Sequence, residues 1–154
     1  MARKPRFNYR EDKFGKVCLK LAHNKKSRDS WAFGAVLVKD GKIIGRGWNR
    51  RSTGWDRIRL PHVDYATHAE QACVIDALNH NRDIKGAEIY VVGLWLGKKE
   101  DGDLTVTKEK KFGCKKCPKT FLLFDIPVNI PQTYGWFRLS PQEAQETAKG
   151  FKVP

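Results

Sequence analysis

No stretch of this 154-residue chain approaches the run of about 20 apolar residues that a membrane-spanning helix needs. The basic start, Met1-Ala2-Arg3-Lys4-Pro5-Arg6, is followed by no apolar run, so a secretory signal is not expected. Repeats and low-complexity linkers are missing, which fits one domain over residues 1–154. Cysteine is sparse: Cys18, Cys73, Cys114 and Cys117. A chain of this length buries a core without staples, so reduced thiols and an intracellular, cytoplasmic protein are expected. A second Cys-x-x-Cys is lacking, which removes the zinc ribbon. Acidic residues are scarce in the first part. Residues 1–60 hold 17 Lys/Arg against 5 Asp/Glu, whereas residues 61–154 hold 13 against 12. Such an excess favours a phosphate-bearing partner, although a basic surface can serve solubility alone.

The elements alternate in type. Phe14, Val17, Cys18, Leu21 and Ala22 recur at helical spacing within residues 9–28. Trp31–Val38 and Ile43–Asn49 read as strands joined at Asp40-Gly41. A helix is expected from Thr67 to Asn79, and strands at Ala87–Leu96, Leu104–Thr107 and Val128–Ile130. Cys117–Phe124 reads as a helix, and Ser140-Pro141-Gln142-Glu143 opens a last one. The order argues for an α/β sandwich built on one mixed sheet of about five strands.

The chemistry lies in His68-Ala69-Glu70 and Cys114-Lys115-Lys116-Cys117. One imidazole and two thiolates give three zinc ligands and leave a fourth position open, as in catalytic sites. A zinc ion makes hydroxide available near neutral pH. Glu70, two residues from the histidine, is placed to move protons. A plainer reading exists: Thr67-His68-Ala69-Glu70 is also a capping box, with Thr67 as N-cap. Cys114 and Cys117 flank a helix start, whose amides favour thiolate. Cys18 and Cys73 fall on apolar helix faces and read as core. His23, His62 and His80 lack this context.

The pattern resembles the cytidine/deoxycytidylate deaminase superfamily, in the branch with one His and two Cys ligands, over roughly residues 10–148. Gly47-Trp48-Asn49-Arg50 is similar to the family's Gly-aromatic-Asn, and Asp83–Val91 to the strand before the Cys pair in deoxycytidylate deaminases. Trp48-Asn49-Arg50 and Ala66–Glu70 also resemble bacterial tRNA adenosine deaminases. The resemblance implies a three-layer sandwich with helices on both sheet faces. It implies Zn2+ on His68, Cys114 and Cys117, Glu70 as proton shuttle and Asn49 on the substrate's sugar or base. The implied reaction is hydrolytic deamination of cytosine in a nucleotide or in single-stranded nucleic acid. Two alternatives stay open: a tRNA adenosine-to-inosine deaminase, and a zinc-stabilised nucleic-acid-binding module without turnover.

Two departures stand out. Gly113 replaces the family's proline before the first cysteine, and the gap from His68 to Cys114 is long. The extra length reads as an inserted hairpin over 97–112, which could border the pocket, support a homo-oligomer or be solvated surface. Residues 1–9 read as a basic arm. The loop after Asn49 holds Arg50, Arg51, Arg57 and Arg59 with Trp55, which suits phosphate and a stacked base. Tyr134, Trp136 and Phe137 offer a second aromatic wall, with core packing the preferred reading for Trp136 and Phe137.

Overall fold

Asp40 and Gly41 both take positive φ, 50° and 76°, so the first hairpin closes through the tight turn their sequence favours. The computed structural model describes residues 6–24, 31–51, 58, 60, 66–95 and 114–150. The hairpin joins β1 (Trp31–Lys39) to β2 (Lys42–Trp48). Its register shifts between Leu37 and Val38, so Ile44 is the extra residue. That bulge lets Ile43 meet one side of the sheet while Ile44, Gly45 and Gly47 meet the other.

Two short strands, β3 (Arg50–Arg51) and β4 (Ala66–Thr67), pair with each other apart from the main sheet. The main sheet adds β5 (Glu88–Trp95), β6 (Val128–Gln132) and β7 (Gly135–Leu139) in the order β2-β1-β5-β6-β7. Only the β5–β6 pair is parallel, so the sheet is mixed as expected. The expected strand at 104–107 and the expected inserted hairpin over 97–112 lie outside the described residues. Among the described residues β7 is the fifth strand of the sheet, and it falls where an aromatic wall was expected.

Alternation along the strands sorts the core into two halves. Ala35, Leu37, Ile89, Val91, Val128 and Leu139 pack on α2 (Ala69–Asn79), α3 (Cys117–Phe124) and α4 (Pro141–Ala148). Val36, Val38, Tyr90 and Val92 pack on the other side with α1 (Lys13–Ala22). Helices therefore cover both faces, the three-layer arrangement expected from the resemblance. From Gly34 to Val38 β1 is buried on both sides, which is why that segment is an unbroken apolar run. The helices sit very close. A Cβ on Gly34 would lie 1.8 Å from Cys18 O in α1, and one on Gly47 would lie 2.4 Å from Cys73 N in α2.

Caps set the helix limits. Asp12 Oδ2 accepts from Phe14 N–H and Gly15 N–H at 2.9 and 3.0 Å, so α1 starts later than periodicity suggests. Ser140 and Glu143 form the expected box on α4. The described part of the basic arm is docked: Phe7 N–H donates to Thr133 O, and Tyr9 is buried. Among the described residues no helix is long and apolar enough to cross a membrane.

Candidate metal centre

Pairing between β3 and β4 holds Thr67 extended and buried, so α2 begins one residue later than expected. His68 is the N-cap, not Thr67. Its N–H donates to Gln71 Oε1 at 3.0 Å, so Gln71, through its amide oxygen, supplies the side-chain acceptor of the capping box rather than Glu70. This corrects the plainer reading of Glu70 and leaves its side chain outside the cap. Gln71 was missed because threonine is the stronger N-cap residue and Glu stood three places after it. Gln71→Leu removes the acceptor of the His68 N–H. We expect a loss of about 1 kcal/mol in urea unfolding, and an unchanged midpoint would contradict the role.

The start of α2 meets the start of α3 on one face of the sheet. His68 Nδ1 lies 3.2 Å from Cys114 Sγ and 3.3 Å from Cys117 Sγ, although 46 and 49 residues separate them in sequence. Cys117 opens α3, and its N–H donates to Cys114 Sγ at 3.4 Å. The helix amide thus faces sulfur, as the Cys-x-x-Cys placement suggested. Among the described residues these three form a group whose ligand atoms all lie within 4.8 Å of one another.

Zinc fits this donor set. Bonds of about 2.0–2.1 Å to nitrogen and about 2.3 Å to sulfur, at tetrahedral angles, place N and S about 3.5 Å apart. The side chains need to open by only about 0.3 Å to meet that geometry.

Electrostatics separates the two thiols. Cys114 is pushed down to about 4 by the hydrogen bond from Cys117 and then by His68. Burial pushes Cys117 well up. His68 is raised, first by its hydrogen bond with Cys114. Glu70 is 5% exposed, and burial raises its pKa, followed by the charge of Cys114; a hydrogen bond with Cys117 acts the other way. A buried carboxyl beside the second thiol can hold a proton and release it.

The structure places the remaining candidates unevenly. Asn49 follows β2, and its Oδ1 accepts from Phe33 N–H at 2.8 Å, which fixes the carboxamide's orientation. Arg50 pairs with Thr67 and Arg51 with Ala66, so the ladder brings both arginines beside the residue that precedes His68. Tyr134 sits in the β6–β7 turn and is 58% exposed. Trp55 lies outside the described residues. Trp136 packs on Phe7 and Tyr90 at ring-centre distances of 5.5 and 4.9 Å, and Phe137 packs on the main core, so both serve packing as preferred. Cys18 and Cys73 are fully buried in the two core halves, and burial raises both pKa values.

Residues 9–130 match the model of the cytidine and deoxycytidylate deaminase zinc-binding region. Among solved structures, cytidine deaminase from Burkholderia pseudomallei is similar at 16% identity, with a TM-score of 0.53 over 82% of this chain and 88% of that one. The dCMP deaminase of cyanophage S-TIM5, in complex with dCMP and dUMP, is similar at 20% identity, with a TM-score of 0.47 over 73% and 74%. No match was found among curated proteins.

Proposed function

The chain belongs to the family defined by the cytidine and deoxycytidylate deaminase zinc-binding region, and from that membership we propose that it hydrolyses cytosine to uracil in a phosphate-bearing substrate, with release of ammonia. The observation that carries the reading is the convergence of His68 Nδ1 on two cysteine sulfurs, with buried Glu70 against Cys117. Glu70 has no capping duty to explain its burial.

In this reading His68, Cys114 and Cys117 hold the zinc. Bound there, the ion lowers the pKa of a water to about 7 and so supplies hydroxide at neutral pH. Glu70 does the proton work. Its carboxylate takes a proton from the attacking water and passes it to the ring nitrogen of cytosine. It then takes the remaining proton of the added hydroxyl and delivers it to the departing amino group, so that water is consumed, ammonia leaves and the oxygen stays as the carbonyl of uracil. A pKa raised by burial suits both halves of that cycle, because the group must accept and donate near the working pH. Asn49 orients the sugar or base. Arg50 and Arg51, paired with the strand that precedes His68, take phosphate, with Trp55 and Tyr134 offered to the base.

The test compares uracil formation, followed by mass spectrometry, from deoxycytidine monophosphate and from a cytosine-containing single strand. Uracil in either supports the reading; conversion of adenine to hypoxanthine instead, or turnover of neither, overturns it. We further expect one zinc per purified chain. Removing it by a chelator should abolish turnover and readdition should restore it; full activity without metal would sink the mechanism.

A further inference from the structure

Phe33 is 37% exposed, although its neighbours on β1 from Ala32 to Val38 are buried. The strand is an inner one, with β2 on one side and β5 on the other. A large apolar ring left open on an inner strand is a feature that packing alone does not call for. Alternation fixes its face. Phe33 shares its side of the sheet with Ala35 and Leu37, which pack in the core under α2 and α3, whereas Gly34 faces α1. Its partner on β5 is Gly93, which shares that side with Ile89 and Val91. The ring lies across this glycine: a Cβ on Gly93 would meet Cε1 and lie 2.6 Å from Cδ1.

The other flank of Phe33 is Asn49. Phe33 N–H donates to Asn49 Oδ1 at 2.8 Å, and Asn49 N–H donates to Phe33 O at 3.3 Å. The same face leads to the metal centre. Gly45 approaches Cys73 and Ala77, and Gly47 approaches Ala72 and Cys73, so α2 runs back to its start as β2 runs forward. Asn49 is the next residue in that alternation. One turn back from Ala72 is His68, whose carbonyl accepts from Ala72 N–H at 2.8 Å. The ring therefore lies one strand from Asn49, on the face and at the end of the sheet where His68 meets the two cysteines.

We propose that the Phe33 ring is the surface on which the target base packs, seated on Gly93 and tied through its backbone to Asn49. The proposal rests on the deaminase reading for the identity of that base. A flat apolar ring suits a base, and Asn49, held by the Phe33 amide, stands at its edge to contact the sugar or the base. Phe33 reads as core in the sequence because it sits inside an apolar run. Its exposure and the glycine opposite it reveal the role.

Asn49 is bonded to the backbone of Phe33, so a change of the Phe33 side chain leaves that contact in place. Phe33→Ala should keep its zinc and raise KM about ten- to a hundredfold with kcat little changed, and Phe33→Tyr, which retains the ring, should recover most of the loss. Gly93→Ala pushes the ring off the strand and should raise KM as well. The ring end can swing aside, so its Tm should stay close to wild type. In the Phe33→Ala background the obstacle is gone, and Gly93→Ala should add no further loss. Steady-state kinetics on deoxycytidine monophosphate and on a cytosine-containing single strand, zinc content, thermal unfolding and calorimetric binding of both substrates read these outcomes. A lower Tm with unchanged KM in Phe33→Ala would make the ring a cover for the sheet and overturn the proposal. Losses that add in the double variant would overturn the seating on Gly93. If wild type deaminates neither substrate, the deaminase reading falls. Weaker calorimetric binding to Phe33→Ala would then still place the base on the ring, and absent or unchanged binding would overturn it.

Discussion

Glu70→Gln should retain one zinc per chain and lose about 10²–10⁴ of kcat, the usual contribution of a positioned acid–base group. The substitution preserves size and hydrogen-bonding shape but cannot carry a proton. The geometry isolates that loss. The His68 N–H is capped by Gln71, so the first turn of α2 survives without Glu70. The proposed metal donors are His68, Cys114 and Cys117, whose ligand atoms lie within 4.8 Å of one another without the carboxylate, so affinity for zinc should not depend on it. Stability should hold or rise in the zinc-free protein, because burial penalises the ionised carboxylate and a neutral amide escapes that cost. Metal analysis, thermal unfolding and steady-state kinetics on one preparation check all three expectations. Wild-type rates in Glu70→Gln would reduce Glu70 to a buried partner of Cys117.

Local signals carried the frame. The Asp40-Gly41 turn, the Ser140-Pro141 start of α4 and the Cys117 start of α3 all stand where their residue chemistry puts them. Each depends on neighbours in sequence, which is why it could be read. The His-x-Glu and Cys-x-x-Cys spacing named a donor set, and the fold does bring those donors together.

What escaped reading depends on distant partners. β7 was missed because its hairpin turns through Thr133 and Tyr134, which carry no Gly or Asn signal. Pro131 is tolerated in β6 because the pairing with β5 ends at Asn129. The one-residue shift of the α2 cap followed from the β3–β4 ladder, a contact across an intervening loop. The same ladder brings Arg50 and Arg51 beside Thr67, which their position in the arginine loop could not establish.

Gly47→Ala should lower stability by about 2–3 kcal/mol, near the upper end for overpacking, or roughly 5–10 °C in Tm for a chain of this size. The added methyl would lie 2.4 Å from Cys73 N and 2.6 Å from Ala72 Cβ. The nearest obstacle is helix backbone, so no side-chain rotation relieves it. α2 must move away from β2, and it carries His68 and Glu70 with it, while Cys114 and Cys117 stay with α3. Zinc affinity should therefore fall together with stability. Gly41→Ala is the control. Its φ of 76° strains any L residue, but nothing lies within 4 Å of the new Cβ. It should cost about 1 kcal/mol through the backbone alone and leave zinc affinity intact. If both variants weakened zinc in proportion to their stability loss, the metal centre would be sensing global unfolding. A loss confined to Gly47→Ala at matched stability would show that the close approach of β2 and α2 sets the position of the histidine ligand.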